Sequence, residues 1–145
     1  EEFTKLDVER VDFDQLLERA DFISIHTPLT DETTNLFGKE AFMQMKPEAL
    51  LINTARGPLV DIDALAQALE AGEIAGAALD VLPQEPPPDD CPLFGRDDVI
   101  LTPHTGFYSA DALLDLQTTV AADVASVLNG ESPRFPVNPK VRVLK

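Results

Sequence analysis

The sequence predicts an α/β fold built on a parallel β-sheet. Short apolar runs alternate with amphipathic helical segments, which is the pattern of parallel strands joined by crossover helices. The first three runs end roughly 27 residues apart, a length that accommodates one strand and one crossover helix. Polar side chains directly follow each run. In an open parallel sheet such residues meet at the carboxyl edge, where ligands bind.

The N-terminal part contains a short helix and the first strand. Asp12 or Asp14 is placed to cap a helix through residues 16–19, because a short carboxylate accepts hydrogen bonds from first-turn N–H groups. The apolar run at residues 22–25 forms the strand. Residues 30–35 then form a loop or a first helical turn.

Two helices flank the second strand. The first, over residues 39–45, is stopped by Pro47, because the residue before a proline avoids helical geometry. Residues 50–52 form the strand and are apolar throughout, as strands buried on both faces are. Asp61 then caps a helix over residues 62–71, in which apolar residues recur at helical spacing.

The third and fourth strands enclose a long loop. Gly72 ends the preceding helix, and residues 76–79 form a strand of small residues suited to close packing. Residues 82–98 include five prolines, which exclude a helix or a central strand and predict an ordered or semi-rigid loop. Loops of this length in compact domains are often functional. Residues 99–101 form the fourth strand.

The longest predicted helix covers residues 110–128 and is ended by Gly130. Its apolar positions share one stripe: Leu113, Leu116 or Gln117, Val120, Val124, Val127 and Leu128. The tail from residue 133 is punctuated by prolines and extended. The apolar stripe therefore needs a packing partner.

Composition excludes several classes of protein. The 145 residues, 44% of them hydrophobic, suffice for one core. The formal net charge of −15 argues against nucleic-acid binding, since phosphates require a Lys/Arg surface. No apolar stretch approaches the ~18 residues of a membrane span, and no signal peptide is visible. The single Cys91 excludes an internal disulfide and fits the cytoplasm, and no zinc-like ligand spacing exists.

Three side chains near the strand ends have the chemistry of an active site. Arg56 presents a planar fork of donors that matches a carboxylate, the alternative being a structural salt bridge. His104 offers proton exchange with an alcohol or ketone, the alternative being a structural histidine. Glu85 could orient an imidazole, or it could be a solvated loop residue.

Four spaced motifs together resemble the D-isomer-specific 2-hydroxyacid dehydrogenases. In chain order they are His26-Thr27-Pro28-Leu29-Thr30, Asn53-Thr54-Ala55-Arg56-Gly57, Asp80-Val81 through Glu85-Pro86, and Thr102-Pro103-His104. The resemblance runs from about Asp14 to Pro139 and is nearest to the C-terminal binding protein and phosphoglycerate dehydrogenase-like subgroup. It implies a partial Rossmann-like doubly wound parallel sheet with a long C-terminal crossover helix.

The resemblance also implies a role for each candidate. Arg56 would hold the substrate carboxylate and polarise its carbonyl, and His104, paired with Glu85, would be the general acid/base. Hydride would pass between the substrate's second carbon and NAD, with NADP not excluded. The implied cofactor-binding residues are Pro28, Thr33, Thr54, Ala55, Arg56, Asp80, His104 and Gly106. Each of three residues also has a local structural alternative. Asp80 could cap the turn that follows it, Asn53 could stabilise its own loop, and His26 could form a local hydrogen bond.

The family pattern divides the chain in two. Residues 1–106 would be the C-terminal part of a dinucleotide-binding domain, and residues 107–145 the crossover helix and tail of the substrate domain. The phosphate-binding Gly-x-Gly-x-x-Gly loop is not in this sequence, so we expect it upstream of Glu1 and expect this chain alone to be inactive. The implied partners are a small 2-hydroxy or 2-oxo acid and a second copy in a homodimer, with no nucleic acid and no membrane.

Two alternative functions stay open at this point. One is an NAD(H)-sensing, dimerising interaction module of the C-terminal binding protein type, since those proteins keep the same three side chains. The other is an inactive truncated fragment.

Overall fold

The structure is a computed structural model that describes residues 8–137. These residues fall into two compact units, 8–106 and 107–137. The first unit contains a β-sheet with its helices, and the second contains one long helix.

The first unit is a parallel sheet with helices, which confirms the predicted Rossmann-like α/β fold. Its strands are β1 (Phe22–Ile25), β2 (Leu50–Asn53), β3 (Gly76–Leu79) and β4 (Val99–Leu101). Its helices are α1 (Phe13–Arg19), α2 (Lys39–Gln44) and α3 (Ile62–Ala71), with a 3₁₀ turn at Gly57–Leu59. The four strands lie in chain order, so the sheet grows in one direction, as one half of a doubly wound sheet does.

Side-chain caps fix where the helices begin. Asp12, rather than Asp14, caps α1: its carboxylate accepts from the Gln15 N–H at 2.9 Å, and the Gln15 side chain accepts from the Asp12 N–H. Asp61 caps α3 by accepting from a first-turn N–H at 3.0 Å. Gly72 ends α3 with a φ of 71°, so both predicted limits of this helix are confirmed.

The hydrophobic core lies on one side of the sheet. Since the sheet grows in one direction and crossovers between parallel strands are right-handed, the connecting helices fall on the same face. The core joins buried residues of the strands and of all three helices, among them Ile23, Leu51, Leu79, Leu17, Phe42 and Leu65. On the opposite face Phe22 and Ile100 are exposed.

The proline-rich loop between β3 and β4 is anchored by its own apolar side chains. No helix or strand forms between residues 80 and 98, as the prolines predict. Val81 near its start, and Cys91 and Leu93 towards its end, are buried. The loop is therefore held against the unit at both ends.

The second unit contains α4 (Ala110–Leu128), which confirms the predicted long helix. Ser109 caps it by accepting from a first-turn N–H at 3.1 Å. No residue of α4 is buried, and Leu116, Val120 and Val124 on its apolar stripe are more than half exposed. Among residues 8–137, no helix has the length and apolar character required to cross a membrane.

Candidate active site

The carboxyl ends of the four strands lie at one edge of the sheet. The register places Ile25, Asn53, Leu79 and Leu101 side by side, so the residues that follow them meet there. These following residues are His26, Thr54, Asp80 and Thr102. β2 is one residue longer than predicted, because Asn53 pairs with both neighbouring strands.

Asn53 holds the turn that carries Arg56. Its side chain is fully buried. Its Oδ1 accepts from the Ala55 N–H at 3.0 Å, and its Nδ2 donates to the Arg56 carbonyl at 2.9 Å. The structure therefore gives Asn53 the local loop role that was one alternative for it, through a hydrogen bond that asparagine commonly makes two residues along its own chain.

Arg56 lies exposed at the end of this turn. Its Nη1 donates to the Ala55 carbonyl at 2.7 Å. Within the described part of the chain, no carboxylate lies at ion-pair distance from its guanidinium. This observation weighs against the alternative of a structural salt bridge and leaves donors of the fork for an anionic ligand.

Glu85 and His104 form a close, partly exposed pair. The distance from His104 Nδ1 to Glu85 Oε2 is 2.7 Å, and Glu85 Oε1 accepts from the Leu82 N–H at 2.9 Å. The bond from His104, and after it the bond from the Leu82 N–H, holds the pKa of Glu85 below its ordinary value. An ionised Glu85 favours a proton on Nδ1, which makes Nε2 the acceptor nitrogen of the neutral ring.

Asp80 ties the turn that carries His104 to the end of β3. Its Oδ1 accepts from the Thr102 hydroxyl and from the Thr105 N–H, the latter at 2.9 Å. Its Oδ2 accepts from the Gly106 N–H at 2.8 Å. The His104 N–H in turn donates to the Asp80 carbonyl at 2.8 Å. The buried carboxylate therefore has a positioning role that the sequence did not reveal, although a local turn was one alternative.

This network holds His104 in an uncommon backbone conformation. Its φ of 53° lies in the left-handed region, which residues with a side chain seldom adopt. The bond from the Thr102 hydroxyl keeps the pKa of Asp80 below its ordinary value against the opposing effect of burial, with further help from the Gly106 and Thr105 N–H groups. An ionised Asp80 thus stabilises a turn that would otherwise relax.

We expect Asp80→Asn to lower the free energy of unfolding of the whole protein by about 2 kcal/mol at neutral pH, because an amide nitrogen cannot accept and one hydrogen bond to a charged oxygen is lost. The folded-state pKa of Asp80 is depressed, so its stabilisation is present above the unfolded pKa of about 4 and is lost as the pH falls through the folded value. Urea unfolding at neutral and acidic pH checks both points. The exposed Asp89→Asn in the same loop is the control, and an Asp80→Asn effect that stays constant into acid would contradict the assignment.

Two neighbouring cavities meet at the His104–Glu85 pair. The smaller, of about 180 Å³, is lined by Arg56, Glu85 and His104 together with Gly57, Pro58, Val81, Leu82 and Pro83. The larger, of about 390 Å³, shares Leu82, Glu85 and His104 and is otherwise lined mainly by apolar side chains: Pro86, Pro87, Phe94, Leu101 and Pro103, with Asp80 and Thr102. The guanidinium of Arg56 and the Glu85–His104 pair therefore share one small cavity beside an apolar one.

Pro28 and Thr33, the predicted cofactor contacts that follow β1, lie in a turn apart from the two cavities. The Thr33 hydroxyl donates to the Pro28 carbonyl at 2.8 Å and accepts from the Thr30 N–H at 2.8 Å. His26 Nε2 lies 2.8 Å from the Ser24 hydroxyl, which is the local bond considered for it. None of these residues lines either of the two cavities.

Gly57, Leu82 and Phe94 line the cavities, although none of them was among the predicted site residues. Gly57 belongs to the motif Asn53-Thr54-Ala55-Arg56-Gly57, but it has no side chain that indicates a chemical role. Leu82 acts through its backbone N–H, which every residue except proline has. The only sequence signal for Phe94 is its place in a long loop.

Residues 1–106 match the family model described as D-isomer specific 2-hydroxyacid dehydrogenase, NAD binding domain. The chain belongs to this family. The match covers the whole sheet and the turn that carries His104, and the cofactor of the matched domain is NAD. The family assignment made from the four motifs is therefore confirmed.

Three proteins similar to this chain are each longer than it. The glyoxylate reductase of Thermofilum pendens is 48% identical over 134 residues, which make up 92% of this chain and 40% of that protein. The D-3-phosphoglycerate dehydrogenase of Archaeoglobus fulgidus is 42% identical over 92% of this chain and 25% of its own length. The structure of Aquifex aeolicus D-lactate dehydrogenase, complexed with NAD and lactic acid, has a TM-score of 0.85 at 32% identity and covers 90% of this chain and 44% of that one. The chain thus spans less than half the length of each.

Proposed function

We propose that this chain is the C-terminal portion of an oxidoreductase that transfers a hydride between NAD and a small D-2-hydroxy or 2-oxo acid. Beyond family membership, the proposal is carried by one observation: Arg56, Glu85 and His104 line the same cavity of about 180 Å³. A guanidinium binds the carboxylate of such a substrate, and an oriented imidazole exchanges the proton of its hydroxyl group.

Each of the three side chains has a different role in the proposed reaction. Arg56 binds the substrate carboxylate and thereby places the adjacent carbonyl beside His104. His104 gives a proton to the carbonyl oxygen during reduction and takes it from the hydroxyl during oxidation. Glu85 holds Nδ1 and stabilises the protonated ring. When bound, NAD supplies or accepts the hydride.

The residues present suit the nicotinamide end of the cofactor. Asp80 Oδ2 accepts one hydrogen bond from the protein, so the carboxylate keeps acceptor capacity for an amide group. A Cβ at Gly106 would lie 2.9 Å from that oxygen, and glycine keeps the space open. We propose Pro28, Thr33, Thr54, Ala55, Arg56, Asp80, His104 and Gly106 as cofactor contacts. No Gly-x-Gly-x-x-Gly loop occurs in the sequence, so the phosphates would be held by residues outside it.

We also propose that residues 1–106 belong to the dinucleotide-binding domain and residues 107–145 to the substrate domain. The family match over residues 1–106 and the exposed apolar stripe of α4 support this division. In the proposed arrangement the whole protein is a homodimer, and residues 1–145 alone are inactive because they lack the phosphate-binding loop.

A substrate assay on the whole protein tests the function. We expect NADH-dependent reduction of glyoxylate and hydroxypyruvate, and NAD-dependent oxidation of D-2-hydroxy acids but not of their L-isomers. Consumption of NADH by the purified protein reports the first reaction, and formation of NADH reports the second. Absence of turnover with every 2-oxo acid tried, in a folded protein that binds NADH, would refute the proposed activity.

A further inference from the structure

Gly57 lies where two turns of the site meet backbone to backbone. It directly follows Arg56, begins the 3₁₀ turn and is buried. A Cβ added to Gly57 would lie well inside 3.0 Å of the Leu82 carbonyl group and of the Pro83 nitrogen, a range that real Cβ atoms essentially never enter. No side chain fits at this position unless one of the two backbones moves.

The requirement for glycine here is spatial and not conformational. The glycines with a positive φ are Gly72, Gly95 and Gly130, and Gly57 is not among them. Its φ therefore does not lie in the left-handed region that favours glycine. Only the missing side chain distinguishes glycine at this position, because it allows the close approach of the other turn.

The contact joins the two halves of the proposed chemistry. On one side of Gly57 is Arg56, the proposed carboxylate clamp. On the other side is Leu82, whose N–H donates to Glu85 Oε1 at 2.9 Å. Glu85 in turn pairs with His104 at 2.7 Å. The backbone contact at Gly57 therefore links the turn that carries Arg56 to the turn that holds Glu85.

We propose that Gly57 is a positioning residue that fixes the Arg56 turn against the Leu82–Pro83 backbone and so sets the geometry between Arg56 and the Glu85–His104 pair. The inference rests on the proposed function for the roles of these side chains. The backbone contact itself is independent of that function.

The test is Gly57→Ala in the whole protein. We expect kcat/KM for the 2-oxo acid to fall about 100-fold, the scale of a reacting group misplaced by about 1 Å. Gly38→Ala is the matched control, because its added Cβ would lie 3.3 Å from the Asn35 carbonyl oxygen, which a small adjustment accommodates. We expect that variant to keep the wild-type kcat/KM.

The pKa of Glu85 distinguishes positioning from a general loss of stability. Bonds from His104 and the Leu82 N–H hold it low, the charge of Asp80 opposes them, and Arg56 faces the same cavity. If the loop is displaced, the bonds to Glu85 from His104 and from the Leu82 N–H weaken. NMR titration of the Glu85 carboxyl carbon should therefore show a pKa nearer the ordinary value in Gly57→Ala. In Gly38→Ala it should stay low.

A second variant keeps the test decisive if Gly57→Ala does not fold. This variant is Gly57→Ala combined with Pro83→Gly, in which glycine at position 83 lets the backbone of the loop move away from the added Cβ. The folded double variant should show both the raised Glu85 pKa and the reduced kcat/KM. A wild-type pKa and a wild-type kcat/KM in either folded variant overturn the proposal, as does a double variant that still fails to fold. If Arg56→Ala retains full turnover, the proposed function fails, while the Glu85 pKa still decides the role of Gly57.

Discussion

Replacing His104 with glutamine in the whole protein should lower kcat for reduction of a 2-oxo acid by about 100- to 10,000-fold, the usual contribution of a general acid or base. Glutamine keeps a polar side chain of similar reach but cannot transfer a proton. The KM for the 2-oxo acid should change little, because the carboxylate is bound by Arg56. Steady-state kinetics at saturating NADH measure both constants.

His26→Gln is the matched control for this variant. The chain has two histidines, and His26 also follows a strand of the same sheet. Its Nε2 bonds to the Ser24 hydroxyl, and it lies outside the two cavities. We expect a kcat near that of the wild type. Equal losses in the two variants, or no loss in His104→Gln, would remove His104 from the proton-exchanging role.

Arg56→Ala should reduce kcat/KM for the 2-oxo acid by roughly 100-fold or more, since two charge-assisted hydrogen bonds contribute about 1.5–3 kcal/mol each. Arg56→Lys should fall between Arg56→Ala and the wild type, because an ammonium keeps the charge but loses the planar fork. Free guanidinium added to the assay should restore part of the activity of Arg56→Ala. Initial rates over a range of 2-oxo acid concentrations measure these effects.

Arg19→Ala controls for the general effect of removing an arginine. Arg19 pairs with Glu9 at 2.6 Å on the surface, and such exposed pairs contribute little to stability. We expect kcat/KM to stay at the wild-type value and added guanidinium to have no benefit. A loss as large as that of Arg56→Ala would show that Arg56 has no specific role.

Elements whose limits are set by local chemistry were predictable from the sequence. The helix from Ile62 to Ala71 begins and ends as predicted, because the Asp61 carboxylate and the Gly72 backbone act on neighbouring residues. Limits set by pairing were less predictable. β2 includes Asn53 because strands on both sides continue beside it, and the composition of one segment contains no information about its neighbours.

The candidate site also has features that were predictable from the sequence and features that were not. Arg56 and His104 stood out because each follows a strand in a sheet whose carboxyl ends share one edge, and Glu85 because it belongs to the motif between them. The hydrogen bonds from residues 102, 105 and 106 to the Asp80 carboxylate could not be predicted, since they join the ends of two different strands. The exposed guanidinium of Arg56, with no carboxylate partner among residues 8–137, also required the structure.

The sequence by itself determined the parallel α/β fold, the family and the identity of the candidate side chains, because hydrophobic period, caps and spaced motifs are local properties of the chain. Only the tertiary structure decided the geometry among those side chains. It showed Asp80 bracing the His104 turn, and it showed that Gly57 allows the Arg56 turn to touch the backbone before Glu85. These contacts join residues far apart in the chain, and a sequence pattern does not contain the distance between two segments that pack together.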